Sequence, residues 1–211
     1  MEFQRARTQE QIENRREEIL NSCYTLFQQE EYDSITLKAI SEMTSISRTS
    51  MYSYYKTKEE VFLDLLKREY LNWGLELKKY FDAAASITRE ELCRLITDTY
   101  LQRETMMQLL SVHLTAIEKN CSLKTLTQFK KESQQVFDTL SEGIRKTFPS
   151  ASPADRDLCL QQFLVFTFGL YPSSHPTEKQ RKAMEEAKVP VLSCELNEFC
   201  YKGLMLLSAQ L

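Results

Sequence analysis

Glycine and proline are scarce in this chain of 211 residues, which contains four glycines and five prolines. An all-β fold with many tight turns needs more of both, so the shortage favours a helical protein. The glycines also stand far apart, and no group of them has the spacing of a phosphate-binding loop such as G-x-G-x-x-G. Nucleotide-dependent chemistry is therefore not expected.

Long apolar runs and clusters of metal ligands are also missing. No stretch of 18 or more apolar residues occurs, and the N-terminal stretch is polar, so we expect neither a membrane span nor a secretory signal. His113 and His175 are far apart and have no partner at metal-ligand spacing. We therefore predict a cytoplasmic protein with no metal and no cofactor.

The six cysteines contain no C-x-x-C pair, and in a reducing compartment they are expected to be small buried hydrophobic side chains. A thiol redox switch is the alternative. It is disfavoured because no cysteine has a fixed basic neighbour that would stabilise a thiolate.

Charge is distributed unevenly along the chain. The net charge is −3, which argues against nonspecific binding to nucleic acid. Residues 36–58, however, contain four basic side chains and one acidic side chain, a net charge of +3. These are Lys38, Arg48, Lys56 and Lys58, with Glu42. A small cationic patch on an acidic chain is typical of a protein that touches a polyanion at one place.

The N-terminal part of the chain predicts three helices. Apolar residues recur at helical spacing from about residue 9 to residue 30. Thr36 and Ser47 are placed to cap two short helices, which are separated only by a tight turn that begins at Thr44. The first short helix is expected to direct three side chains inward: Leu37, Ile40 and Met43.

The remaining sequence predicts further helices and no strand. Capping boxes at Thr57 and Thr88 and a Ser-Pro start signal at 152–153 open three of them. The helix that follows residue 153 is apolar almost all round, so it is the centre of a body or half of a subunit interface. A loop is expected at Pro172, His175 and Pro176, before a closing helix from about residue 194 to 208.

Two short helices across a tight turn are typical of a helix-turn-helix, whose second helix enters the DNA major groove. Arg48 can donate to guanine edges or to phosphate, and the hydroxyls of Tyr52 and Thr36 can reach backbone oxygens. We predict these DNA-binding residues: Thr36, Lys38, Ser47, Arg48, Thr49, Ser50, Tyr52, Tyr54 and Lys58. Short capped helices with polar faces also occur in proteins that bind no DNA, so the spacing alone leaves that alternative open.

The stretch SITLKAISEMTSISRTSMYSYYKTKEEVFLDLL, with the amphipathic helix before it, resembles the DNA-binding head of the tetracycline-repressor (TetR/AcrR) family of bacterial regulators. The resemblance is close over residues 12–66. It implies phosphate contacts by Thr36 and Tyr52 and a recognition helix at residues 47–54, and Lys58 matches the lysine that opens the family's fourth helix. The family usually has glycine where this chain has Ser45, which predicts a positive φ there and about 1 kcal/mol of strain.

Beyond residue 80 the resemblance concerns architecture only. It implies an all-α fold in which a three-helix helix-turn-helix head, residues 1–56, is joined by a long helix from residue 58 to an effector-binding and dimerisation body, residues 57–211. The last two long helices, about 154–171 and 194–208, would build the dimer. The predicted interface residues are Leu160, Leu164, Phe168, Leu196, Phe199 and Leu207.

Candidates for an effector pocket are body residues that are expected to face inward although they are polar or soft. They are Tyr100, Met106, His113, Phe137, Phe163 and Thr167. For each of them, ordinary core packing is the alternative.

Together these features predict a homodimeric, non-enzymatic transcriptional repressor that an unknown small molecule releases from a pseudo-palindromic operator in double-stranded DNA. One alternative is an all-helical protein-interaction module that has lost DNA binding. Another is an enzyme, for which the sequence offers no nucleophile–base pair, carboxylate constellation or metal set.

Overall fold

The structure, a computed structural model, describes residues 8–189 and 194–211 and within them contains ten α-helices and no strand. The all-α prediction is confirmed. The helices are α1 (Gln9–Phe27), α2 (Leu37–Glu42), α3 (Arg48–Tyr54), α4 (Lys58–Ala83), α5 (Arg89–Leu101), α6 (Glu104–Val112), α7 (Leu123–Thr147), α8 (Pro153–Ser174), α9 (Glu178–Ala187) and α10 (Leu196–Leu207). A π-helical turn, His113–Ile117, and a 3₁₀ turn, Glu118–Asn120, join α6 to α7.

Two compact units divide the chain. The head unit contains Met1–Arg68 and Val112–Lys131, and the body unit contains Glu69–Ser111 and Glu132–Leu211. Helix α4 therefore contributes residues to both units. The head unit is larger than the predicted DNA-binding domain, residues 1–56, because it includes the start of α4 and a segment from the middle of the chain.

Side-chain caps begin the helices where the sequence predicts them. The hydroxyl of Thr36 accepts the N–H of Ala39 at 3.1 Å, and the hydroxyl of Ser47 accepts the N–H of Ser50 at 3.2 Å. Thr88 forms a reciprocal capping box with Glu91 at the start of α5. Each cap supplies an acceptor for an N–H that has no partner within its own helix.

Two local expectations are wrong. Met43 is 47% exposed rather than inward, because α2 ends at Glu42 and the helical periodicity does not extend to the next residue. Pro172 lies inside α8 rather than in a loop, and the helix continues to Ser174. Proline cannot donate a backbone hydrogen bond, but the hydroxyl of Ser174 donates to the carbonyl of Leu170 at 2.7 Å in this last turn.

Side chains, rather than a left-handed residue, hold the turn between α2 and α3. Among the described residues, Lys188 is the one non-glycine residue with a positive φ, so the positive φ expected at Ser45 is wrong. The carboxylate of Glu18, in α1, accepts the Ser45 N–H at 2.5 Å. The hydroxyl of Thr44 accepts the N–H of Ile46 at 3.1 Å. These bonds satisfy the backbone donors of a turn that lacks glycine, without strain at Ser45.

In the head unit, α3 is attached to the core by one side of its short length. Met51 is fully buried, and Tyr55, directly after the helix, is almost fully buried. The Tyr55 hydroxyl donates to the carboxylate of Asp64 in α4 at 2.8 Å, and the guanidinium of Arg16 lies 5.8 Å from the centre of the Tyr55 ring. The opposite side of α3 is left in solvent.

Close helix packing and a few buried hydrogen bonds organise the body unit. The indole N–H of Trp73 donates to Thr99 at 2.9 Å, and the hydroxyl of Tyr100 donates to the carbonyl of Thr167 at 2.8 Å. Helices α8 and α10 meet at Gly203, where a Cβ atom would lie 2.2 Å from the Phe166 ring. The absence of a side chain at this glycine therefore leaves room for the Phe166 ring against α10.

We predict that Glu18→Gln lowers the free energy of unfolding by about 1–2 kcal/mol at pH 7, because it weakens a charge-assisted hydrogen bond to the turn. Burial acts to raise the pKa of Glu18, but hydrogen bonds from Ser45 and Arg15 outweigh it and hold the pKa below its ordinary value. The stabilisation is therefore present above the ordinary pKa and is lost as pH falls through the lowered one. Urea unfolding at pH 7 and pH 3 measures both effects.

Glu13→Gln is the control, since Glu13 is an exposed residue of the same helix that bonds to Gln9. Equal losses for the two variants, or a Glu18→Gln difference that does not shrink at pH 3, would contradict the account of the turn.

Candidate nucleic-acid interface

The exposed side of α3 presents the side chains that the sequence predicts to read DNA. Arg48, Thr49 and Tyr52 are exposed, while Ser50 and Tyr54 are half-buried. No described hydrogen bond or ion pair involves the side chains of Arg48 or Tyr52, and both extend from a helix whose other side is anchored by Met51. This arrangement leaves guanidinium and hydroxyl donors available to an external partner.

The predicted DNA-binding residues that precede α3 differ in whether they have a hydrogen-bond donor free for DNA. The Thr36 hydroxyl accepts the cap bond of α2, and its own proton stays available for a phosphate oxygen. The Ser47 hydroxyl instead donates to Ser50 Oγ at 3.0 Å. Lys38 is exposed and lies 3.6 Å from Glu42 in an ion pair that water and salt screen. Thr36 and Lys38 therefore have the freer donors.

Lys58 is placed differently from the others. Its ammonium donates to the carbonyl of Tyr32 at 2.7 Å and lies 4.2 Å from the centre of the Tyr32 ring. The ammonium also donates to the carbonyl of Asp33 at 3.5 Å, so the side chain holds the loop between α1 and α2. Its contact with DNA remains a prediction.

Two further residues at this surface are absent from the predicted set. Ser53 and Lys56 are both exposed. The Lys56 ammonium donates to the carbonyl of Tyr52 at 2.5 Å, near the C-terminal end of α3, where the helix dipole favours a cation. Lys56 belongs to the cationic stretch 36–58, so the charge pattern was the signal that pointed to it.

Of the six effector-pocket candidates, two are hydrogen-bonded to each other and one lies in a different unit from the other five. The Tyr100 hydroxyl bonds to the carbonyl of Thr167, and burial raises the pKa of Tyr100, so the phenol stays a neutral donor. Met106 and Phe163 are buried, and Phe137 packs edge-on against Tyr70 with ring centres 5.6 Å apart. His113 is buried in the head unit, whereas the other five belong to the body unit.

A groove of about 600 Å³ lies elsewhere in the body unit and includes none of the six candidates. The C-terminal end of α8, helix α9 and the start of α10 form it. Its lining residues are Ser173, Ser174, His175, Pro176, Arg181, Met184, Glu185, Val189, Cys194, Glu195 and Leu196. The pocket role of the six candidates therefore stays a prediction, which no described cavity supports.

The predicted dimer residues are half-buried, and more exposed apolar residues lie beside them. Each of the six, Leu160, Leu164, Phe168, Leu196, Phe199 and Leu207, is intermediate in exposure. Val165 of α8 is 71% exposed and Leu206 of α10 is 76% exposed. These two, together with Leu158, form the outward apolar set of the two helices that the prediction missed. The all-round apolarity of α8 was the sequence signal for them.

Cysteines and metal ligands offer little chemistry in the described parts of the chain. All six thiols are free, and burial raises the pKa of Cys23 and Cys159 to about 12 and that of Cys200 to about 11. Such thiols are weak nucleophiles at neutral pH, which disfavours a redox role for them. Within residues 8–189 and 194–211, no group of three or more His, Cys, Asp or Glu side chains is arranged to hold a metal ion.

Comparison with known families identifies both parts of the chain. The family described as "Tetracyclin repressor-like, C-terminal domain" matches residues 67–209, and the one described as "Bacterial regulatory proteins, tetR family" matches residues 19–65. This chain belongs to the TetR family. It is therefore a transcriptional regulator with an N-terminal helix-turn-helix, as the sequence resemblance implied.

Solved structures show the same fold at low sequence identity. A TetR-family transcriptional regulator from Mesorhizobium loti is 13% identical, with 98% of each chain covered and a TM-score of 0.58. The fatty acid degradation regulator FadR from Bacillus halodurans is 14% identical, with 91% of this chain and 93% of that chain covered and a TM-score of 0.55. No curated protein matches the chain significantly. No described helix is both long enough and apolar enough to cross a membrane.

We predict that Tyr55→Phe lowers the free energy of unfolding by about 1 kcal/mol, because it removes the hydroxyl that donates to half-buried Asp64. Thermal or urea unfolding measures the loss. Tyr54→Phe on the neighbouring residue is the control and should have little effect, since no described hydrogen bond involves the Tyr54 hydroxyl. A Tyr55→Phe variant as stable as the wild type would show that the bond does not anchor α3.

Proposed function

We propose that this TetR-family protein is a homodimeric repressor that acts in the cytoplasm, has no catalytic activity, binds a pseudo-palindromic operator through α3, and leaves it when a small molecule binds the body. The observation that supports this most directly is the outer side of α3. A short helix that is anchored by buried Met51 and Tyr55 presents unpaired donors to solvent, within a stretch of net charge +3.

Binding would combine two kinds of contact. Thr36 and Lys38 before α3 and Lys56 after it offer hydroxyl and ammonium donors suited to phosphate oxygens, which supply most of the affinity and carry no sequence information. Arg48 and Thr49, in the first turn of α3, are placed to meet base edges in the major groove. Because the chain as a whole is acidic, DNA would be held at this surface alone.

A dimer would present two such helices about 34 Å apart, one turn of DNA. The exposed apolar residues of α8 and α10 support this assembly, since Val165 and Leu206 would leave water in a symmetric interface. The two helices already pack on each other through Phe166 and Phe199, whose ring centres are 5.9 Å apart. A second copy would extend this pair to four helices.

Release by an effector is a linked equilibrium. A ligand of the body weakens DNA binding only to the extent that it binds the DNA-incompetent arrangement more tightly than the competent one. The same coupling requires that operator DNA weakens binding of the ligand by an equal factor.

We predict saturable, salt-sensitive binding to DNA from upstream of the protein's own gene, which Arg48→Ala and Tyr52→Ala each weaken by about tenfold or more. The reason is loss of donors to base edges or phosphates. Fluorescence anisotropy titrations at two salt concentrations measure both quantities.

Matched controls are available in the body unit. Arg145→Ala removes an exposed arginine that pairs with Glu142, and Tyr80→Ala removes a tyrosine about as exposed as Tyr52. Both controls should bind DNA as the wild type does. If a folded dimer binds no fragment at low salt, the regulator proposal fails and a protein-interaction module is favoured instead.

We also predict that Val165→Arg converts a dimer at micromolar concentration into a monomer, because the interface would have to bury an unpaired charge. Sedimentation velocity measures the change. Leu123→Arg is the control, since Leu123 is even more exposed but lies at the start of α7. A dimer that persists in Val165→Arg would place the interface elsewhere.

A further inference from the structure

A chain of hydrogen bonds connects the C-terminal end of α3 to the first turn of α7, and all of it lies in the head unit. The Lys56 ammonium donates to the carbonyl of Tyr52 in α3. The backbone N–H of Lys56 donates to Oε2 of Glu60 at 2.7 Å. The hydroxyl of Thr125, in α7, donates to Oε1 of the same Glu60 at 3.1 Å. One carboxylate oxygen of Glu60 therefore accepts from Lys56, which follows α3, and the other accepts from Thr125 of α7.

Glu60 departs here from an ordinary capping box. The hydroxyl of Thr57 accepts the N–H of Glu60 at 3.3 Å, which is the first half of the predicted box. In the second half the carboxylate should return to the N–H of Thr57. Instead it reaches one residue further back, to the N–H of Lys56. The bond therefore holds the residue that directly follows Tyr55, not the start of α4.

Thr125 is itself held in place by the start of α7. The hydroxyl of Ser122 accepts the N–H of Thr125 at 3.1 Å, and the two hydroxyl oxygens are 2.8 Å apart. Both residues belong to Val112–Lys131, the segment that packs in the head unit although the chain on either side of it packs in the body unit. No residue of this segment is among the predicted DNA contacts.

We propose that Thr125 and Glu60 are positioning residues for DNA binding: Thr125 orients the Glu60 carboxylate, which fixes Lys56 and with it the C-terminal end of α3. This inference rests on the proposed function. Helix α3 has only seven residues, so its two ends determine its angle to the DNA. Neither positioning residue needs to touch DNA to change the affinity.

This role predicts a particular pattern of losses. Thr125→Val keeps the shape of the side chain but removes the donor, so the affinity for operator should fall about 3- to 10-fold, the effect of one hydrogen bond. Thr125→Ser keeps the donor and should restore the affinity. Thr127→Val is the control, since the Thr127 hydroxyl donates to Leu123 within its own helix.

Hydrogen exchange of the Lys56 amide tests the same chain without DNA. In Thr125→Val this amide should exchange about 3- to 10-fold faster than in the wild type, whereas Thr125→Ser and Thr127→Val should leave it unchanged. Glu60→Ala should accelerate it at least as much. Adding Thr125→Val to Glu60→Ala should have no further effect, because both residues act through one carboxylate.

The outcomes separate this inference from the proposed function. Wild-type protein that binds no DNA at low salt ends the proposed function and the positioning role with it. Wild-type binding with unchanged affinity in Thr125→Val ends the positioning role alone. The role is also overturned if Thr127→Val weakens binding as much, if Thr125→Ser fails to restore it, or if the Lys56 amide does not respond to Thr125→Val.

Discussion

The placement of α3 depends on how the tight turn before it satisfies its own backbone. Ser45 is exposed, so its N–H could also bond to water, but an acceptor that is fixed in the fold holds a turn without glycine in one conformation. Here the acceptor for Ser45 comes from Glu18, a residue of another helix. Helix α1 therefore does more than supply apolar surface to the core, because the Glu18 carboxylate also holds the turn that leads into α3.

Much of the fold could be predicted because the decisive signals are local. A hydroxyl at Thr36, Ser47 or Thr88 accepts a bond from a residue three positions later, so the sequence alone reveals where those helices begin. The expectation of a positive φ at Ser45 was wrong because the residue that holds this turn is distant in the sequence: Glu18 lies 27 residues earlier. The same limit explains why the place of Val112–Lys131 in the head unit could not be foreseen from spacing.

Side-chain direction limited the prediction of the sites. Lys58 and Lys56 look equivalent in the sequence, yet Lys58 turns to the carbonyl of Tyr32 while Lys56 stays exposed beside α3. In the body, an inward position predicted burial correctly for Tyr100 and Thr167, but burial does not tell a ligand contact from core packing. Because α8 is apolar on nearly all sides, its sequence likewise did not indicate which side is exposed to water.

The contact between Gly203 and Phe166 has a consequence for how this protein can diverge. A methyl group at position 203 would overlap the Phe166 ring in its present rotamer, so a side chain there requires this half-buried ring to move or the helices to separate. Relatives in which residue 203 carries a side chain should have a smaller residue or another ring rotamer in place of this phenylalanine, or a wider gap between these helices. Paired substitution at these two sites would then show that the packing of α8 against α10 changed during evolution.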